Sequence, residues 1–299
     1  MTKITERAML VALNISQWSA RKYDKRASED VAKLHGADAE MMNFTKHLVD
    51  KSALRNITLI ARAAREHHLF NTLPWSDSGF RMLPGANYFD YVEAQQAYRS
   101  KFDRAVADFT NVYKDCVAEA RERLKGLFSM TDYPLPEEVA NKFGIDCVFA
   151  PLPDGDDFRV SLGAEEERRI REEIEERARA AEVEAMRDLW TRVHAAVARM
   201  SKNLNSYGTD PVTGRITHPF RDSMVDSLRK LVETLPKLNV AGDSNLEAMR
   251  QRLVQDLCPH DPQDLRDDDI LRKAVAQEAD VILHAMADYV GVSDDEEVT

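Results

Sequence analysis

The sequence predicts a mainly α-helical protein with a small β element, and three observations carry that prediction. Two segments, 87–128 and 164–206, keep apolar residues at three-to-four spacing over about forty residues each. Only three short runs, near 9–17, 145–149 and 158–162, show the period-two alternation of strands. Hydrophobic residues make up 43% and charged residues 31% of the chain, a globular balance tilted toward solvated helix surface.

In chain order, residues 9–17 (MLVALNISQ) set Val11, Leu13 and Ile15 on one face and Ala12, Asn14 and Ser16 on the other, which reads as a strand. Asp24 is placed to cap a helix ending at Gly36, a residue suited to the left-handed position after a helix. Further helix is expected from Asp38 and again from Asp50 to Asn71. The segment TLPWSDSGFRMLPG, 72–85, is dense in turn formers and reads as a loop.

Beyond it, Asn87 is expected to cap a helix to Phe128. Tyr91, Tyr98, Phe102, Ala105, Phe109, Val112 and Cys116 form a coiled-coil-like seam there, with Gln95 breaking the set. A helix from Pro136 to Gly144 and two strands around Pro153-Asp154-Gly155-Asp156 suggest an αββ head over 129–163, with the 9–17 strand as its third strand. Helix then resumes from Ala164 to Ser206, roughly 60 Å long at about 1.5 Å per residue. Its first half offers only the narrow stripe Ile170, Ile174, Ala178 and Ala181, an interaction stripe suited to one neighbour.

Two long helices flanking a compact insert predict a long antiparallel helical hairpin, an arm with a small β-hairpin head, attached to a helical body. The expected organisation is therefore 1–86, strand and helices; 87–206, the arm; 207–290, a C-terminal helical region; and 291–299, an acidic, disordered tail. Helices are expected over about 220–235, closed by Pro236, over 244–258, and from Ile270 onward. No repeat of fixed period emerges, which argues against a solenoid.

Composition narrows function. No run of about 18 apolar residues and no signal-peptide pattern at the start lead to an expected cytoplasmic location without membrane insertion. Three distant cysteines, Cys116, Cys147 and Cys258, make neither a disulfide framework nor a CxxC clamp and are expected as buried thiols. The formal charge is −11, yet residues 1–70 carry twelve Lys and Arg against eight Asp and Glu, so any polyanion contact belongs near the N-terminal end.

Trp18, Arg21, Lys22, Tyr23, Lys25 and Arg26 place four cations and two aromatics within nine residues, the set a nucleic-acid-binding surface uses for phosphate attraction and base stacking. Against it stands the commoner fate of aromatics, packing beneath a turn while the charges are solvated. Cys258, His260, Asp261 and Asp264 concentrate metal-capable ligands in one loop, although Asp before a helix is equally expected as a cap. Glu66-His67-His68 lacks HExxH spacing and reads as a solvated helix end, and Ser227-Leu-Arg-Lys230 matches SxxK without its companion motifs. Gly208–Gly214 is no P-loop, because no GK[ST] follows. No catalytic residues and no cofactor are expected.

Four segments, NISQWSARKYD (14–24), NTLPW (71–75), LPGANYFDY (83–91) and PFRDSMVDSLRKLV (219–232), resemble a family of bacteriophage and prophage proteins, a domain of unknown function. The likeness extends over most of the chain. It implies a phage origin and a companion AAA+ ATPase similar to the cobaltochelatase and MoxR type, sometimes with a von Willebrand A partner; it names no reaction and carries over no catalytic residue. The leading expectation is a non-catalytic adaptor or scaffold, self-associating or paired with such an ATPase. The alternatives are a nucleic-acid-binding protein of phage replication or recombination, and a metal-dependent enzyme.

Overall fold

The structure, a computed structural model, describes residues 3–75, 79–157, 160, 162–208 and 218–290. Among them the elements run β1 (Ala8–Ser16), β2 (Arg21–Tyr23), α1 (Lys25–His35), β3 (Thr45–His47), α2 (Arg55–Asn71), β4 (Arg81–Pro84), α3 (Tyr88–Leu124), α4 (Pro136–Val139), β5 (Gly144–Pro151), α5 (Ala164–Ser206), α6 (Asp222–Leu238), α7 (Ser244–Asp256), α8 (Pro262–Asp267) and α9 (Asp269–Val290), joined by short 3₁₀ turns. The protein is mainly α with a small β element, and no helix among the described residues is long and apolar enough to cross a membrane. The chain forms two compact units. One comprises Met1–Val11, Asn71–Phe89 and Phe149–Thr299, the other Ala12–Phe70 and Asp90–Val148.

In the first unit, β1 begins against β4, pairing Ala8 with Pro84 and Val11 with Arg81 in antiparallel register. The 72–85 segment, expected as loop, thus contains a strand. Pro84 misled that reading: it closes β4, whose place at the edge of the order β4-β1-β5 leaves its missing N–H harmless. Asn87 does not cap α3, since its amide donates to the backbone and side-chain oxygens of Asn71 at 3.0 and 3.1 Å.

The long helix α5 has the bounds its sequence predicts, entered through Gly163 at φ +99°. Its partner is α9. Trp190 stacks on Tyr289 at 4.2 Å, Ser201 donates to Asp280, and the Arg272 guanidinium lies 4.8 Å from the Tyr207 ring. Rising numbers on one helix meet falling numbers on the other, so the two run antiparallel.

The sequence reading expected α5 to turn back along α3; within the first unit α5 packs along α9, while α3 from Asp90 onward belongs to the second unit. The physical reason lies in α9, whose Val275, Ala276, Ala279, Ile282 and Met286 form an apolar face broad enough to cover Leu189, Val193, Val197 and Met200 of α5. The expected interaction stripe is likewise spent inside the unit: Ala178 and Ala181 are buried, while Ile170 and Ile174 are half-covered.

Pro236 lies within the last turn of α6 rather than ending it, on an exposed position opposite Leu228, Leu231 and Leu235. The expected break over 259–269 holds the short helix α8, capped by Asp261. The expected second strand near 158–162 falls partly on residues 158, 159 and 161, outside the described residues; Val160 and Leu162 are exposed and lie in no strand. The 209–217 connector and the 291–299 tail also lie outside them.

In the second unit, α1 has the predicted caps: Asp24 accepts from the Ala27 N–H at 3.1 Å, and Gly36 adopts φ +62°. The helix expected from Asp38 is only a 3₁₀ turn over Ala39–Met41. One core forms from Ile57, Ala61 and Ala64 of α2, Phe102, Val106, Phe109 and Tyr113 of α3, and Val139 and Ile145. The α3 seam therefore drifts from strict heptad positions: Val106 and Tyr113 are inside, whereas Val112 is 46% exposed. Gln95 does not break the seam but is buried in it, donating to the Ala64 carbonyl at 3.3 Å.

Candidate nucleic-acid interface

Residues 18–26 lead from the end of β1 through the short strand β2 into the first turn of α1. Trp18 is half-buried, its ring 6.3 Å from Phe109 and 5.9 Å from Tyr113, so one of the two aromatics is committed to packing. Ala20 follows at φ +48°, a left-handed kink that redirects the chain into β2. There Arg21, Lys22 and Tyr23 pair with His47, Lys46 and Thr45 in antiparallel register. Backbone bonds from Leu48 N–H to Ala20 O, 2.8 Å, and from Asp24 N–H to Phe44 O, 2.9 Å, close both ends.

The charges divide into two sets. Lys46 is buried and neutralised, bonded to Asp24 at 2.8 Å, to Asp132 at 2.9 Å and to the Leu127 carbonyl at 2.6 Å. The hydrogen bond from Lys46, aided by the Ala27 N–H, holds the Asp24 carboxyl below its ordinary range. Burial opposes the charge on Lys46, but the two carboxylates outweigh it and raise its pKa. Arg21, Lys22, Lys25 and Arg26 are exposed, and of these only Lys25 meets a carboxylate among the described residues, Glu29 at 3.8 Å. Tyr23 is 48% exposed beside them.

A groove of about 500 Å³ borders the β2–β3 ribbon through His47 and continues over Val49, Asp50, Lys51, Glu119, Ala120, Arg123 and Leu124. Arg123 bridges Asp50 at 2.7 Å and Glu119 at 3.0 Å. The bond from Arg123, with those from Ser52, holds the Asp50 carboxyl far below the usual carboxylate range.

No family model, curated protein or solved structure matches the chain.

The other sequence candidates resolve differently. Cys258, His260, Asp261 and Asp264 are not brought together, and among the described residues no three His, Cys, Asp or Glu side chains are placed to hold a metal ion. Local structure claims the loop instead: Arg229 donates to the carbonyls of Cys258 at 2.9 Å and His260 at 3.0 Å, and Asp261 accepts from the Gln263 N–H at 2.7 Å as a helix cap. Burial raises the Cys258 thiol, the reverse of what a ligating thiolate needs.

Ser227 is likewise bonded to its own helix, at Ser223 O, 2.5 Å. His68 is not solvated but buried, with its Nδ1 2.7 Å from the Tyr91 hydroxyl, and Tyr91 lies 3.8 Å from Cys147 Sγ. Burial pushes the Tyr91 phenol and the Cys147 thiol up, which suits a packed polar cluster rather than a nucleophile. The neighbouring His67 accepts from Gln95 at 3.2 Å, with its ring beside Tyr91 and Tyr98.

Sequence reasoning missed Lys46, His47, Lys51, Glu119 and Arg123. Asp24 was readable as a cap and Asp50 as the point where helix resumes, but no local signal announces that α3 passes beside β3.

Proposed function

We propose that this chain is a non-catalytic binding protein that holds single-stranded nucleic acid on the β2–β3 ribbon. The observation that supports this reading is the run of exposed cations, Arg21 and Lys22 on β2 and Lys25 and Arg26 in the first turn of α1, with the exposed ring of Tyr23 among them, on a segment anchored by Trp18, Leu48 and Lys46. Fixed cations attract phosphates with no cost of reordering the backbone, and one exposed tyrosine gives a base a face to stack on.

The test is fluorescence anisotropy with a labelled single-stranded oligonucleotide at about 50 and about 200 mM salt. Affinity is expected at the lower salt, to fall steeply at the higher, and to drop at least about tenfold in Arg21→Ala/Lys22→Ala. Absence of binding at low salt, or indifference to that pair of substitutions, removes the reading.

A second reading keeps the adaptor expectation: a phage protein that works beside an AAA+ ATPase, as the family resemblance implies. It is favoured by α5, an unbroken 43-residue helix whose first half turns an outward face of charged residues, Arg168 and Glu172 or Glu173 and Arg177, to solvent. Affinity purification of tagged protein from infected or lysogenic cells distinguishes it: recovery of an ATPase supports it, and recovery of free monomer alone counts against it.

A further inference from the structure

We infer that the groove beside the ribbon is a pocket for one nucleobase carrying an exocyclic amino group: cytosine, adenine or guanine in preference to thymine or uracil. The inference rests on the nucleic-acid reading above and adds a base preference to it.

Ribbon and groove are continuous, because His47 lines the groove and sits directly across from Arg21. Their chemistry differs. The ribbon is cationic, whereas in the groove Lys51 and Arg123 are balanced by Asp50 and Glu119. A phosphate therefore has reason to stay on the ribbon and none to enter the groove. The groove floor is apolar, made by Val49 and Ala120, 3% and 7% exposed, with Leu124 beside them. An apolar floor with a few polar groups on its rim is the ordinary design of a site for a flat heterocycle.

The rim decides which heterocycle. Asp50 is already engaged at both oxygens: Oδ1 accepts from the Ser52 N–H at 2.9 Å and the Ser52 hydroxyl at 2.7 Å, and Oδ2 from Arg123 at 2.7 Å. Glu119 gives Oε1 to Arg123 at 3.0 Å, while its Oε2 has no hydrogen-bond partner among the described residues. Its side chain is 58% exposed at the mouth of the groove and held in place by Arg123. A carboxylate oxygen in that position only accepts hydrogen bonds. It matches the amino group of cytosine, adenine or guanine and repels the carbonyl that thymine or uracil presents in its place.

The experiment measures anisotropy of identically labelled oligo(dC) and oligo(dT) of one length against the full chain, Glu119→Gln and Arg21→Ala/Lys22→Ala. Thermal melting verifies that each variant is folded. The expected result is oligo(dC) binding about tenfold tighter than oligo(dT). Glu119→Gln should erase that ratio, because an amide serves both bases, while Arg21→Ala/Lys22→Ala weakens both oligonucleotides and keeps the ratio. Equal binding of the two by the parent chain, or a ratio that survives Glu119→Gln, overturns the base pocket and leaves the ribbon reading standing. Binding of neither oligonucleotide at low salt overturns the ribbon reading itself.

Discussion

Lys46 sits where a cation would ordinarily be expelled, 5% exposed between two carboxylates that are 14% and 13% exposed. A buried ion pair contributes little over an apolar replacement, but removing one partner strands the other. Lys46→Met is therefore expected to destabilise the fold by about 3–5 kcal/mol in urea denaturation. The pH dependence should also reverse. In the parent chain the Asp24 pKa is depressed, so its contribution is present above the ordinary Asp range and lost as pH falls through the folded value. In the variant, Asp24 loses that counter-ion while remaining largely covered, which favours its neutral form, so stability should recover as pH falls from about 5 to about 3. Denaturation midpoints at three pH values check this, and parallel slopes for the two proteins would refute it. At this scale the helix caps were legible because they are local: Asp24 reaches a residue three positions away. The burial of Lys46 was not, since Asp132 and Leu127 come from the far end of α3 and the turns after it.

The helices were readable in extent and unreadable in partnership. The bounds of α5 follow from a span without Gly or Pro, and Gly163 marks its start. What the helix packs on depends on which apolar face in the chain is broadest, and a stripe of Ile and Ala is compatible with several. On α9, Ile282 is fully buried, and Ile282→Ala should cost roughly 2–5 kcal/mol, lowering the urea midpoint without changing the slope. A loss under about 0.5 kcal/mol would mean that α9 does not cover α5 in solution. Strand β4 escaped the sequence reading for a different reason. Four residues ending in Pro84 and followed by Gly85 look like a turn, and only pairing with β1 makes them a strand. The seam of α3 was approximately legible, but a strict heptad places Val112 inside, where the straight helix presents Tyr113.

Across the molecule, charge is divided more sharply than the sequence average conveys. The second unit holds 18 Lys and Arg against 18 Asp and Glu, so the whole formal charge of −11 resides on the first. If a single strand binds at the ribbon, each lost phosphate contact lowers the slope of log affinity against log salt by about 0.7. Arg21→Ala/Lys22→Ala should then flatten the slope by about 1.4, whereas Arg168→Ala/Arg169→Ala on α5 should leave it unchanged. A titration at four salt concentrations reads both, and equal slopes for the parent and the ribbon variant would argue that the contact is not made through these phosphates. A count of charges directed any polyanion contact to the N-terminal end; the groove beside the ribbon was not legible, because Glu119 and Arg123 lie seventy residues or more from His47 in the chain.

The path of the polypeptide through the two units has an implication for how the protein is made. The second unit is complete once residue 148 has left the ribosome, but the first waits for α9, because its opening stretch, Met1–Val11, and its middle stretch, Asn71–Phe89, must be joined by everything from Phe149 onward. A nascent chain halted midway would carry a finished core and an unfinished one, with Met82 and Leu83 on β4 still lacking the cover of α6. The backbone passes four times between the units, each time within a regular element, β1, α2, α3 or β5, so a single proteolytic cut at one passage would leave the units joined by the other three.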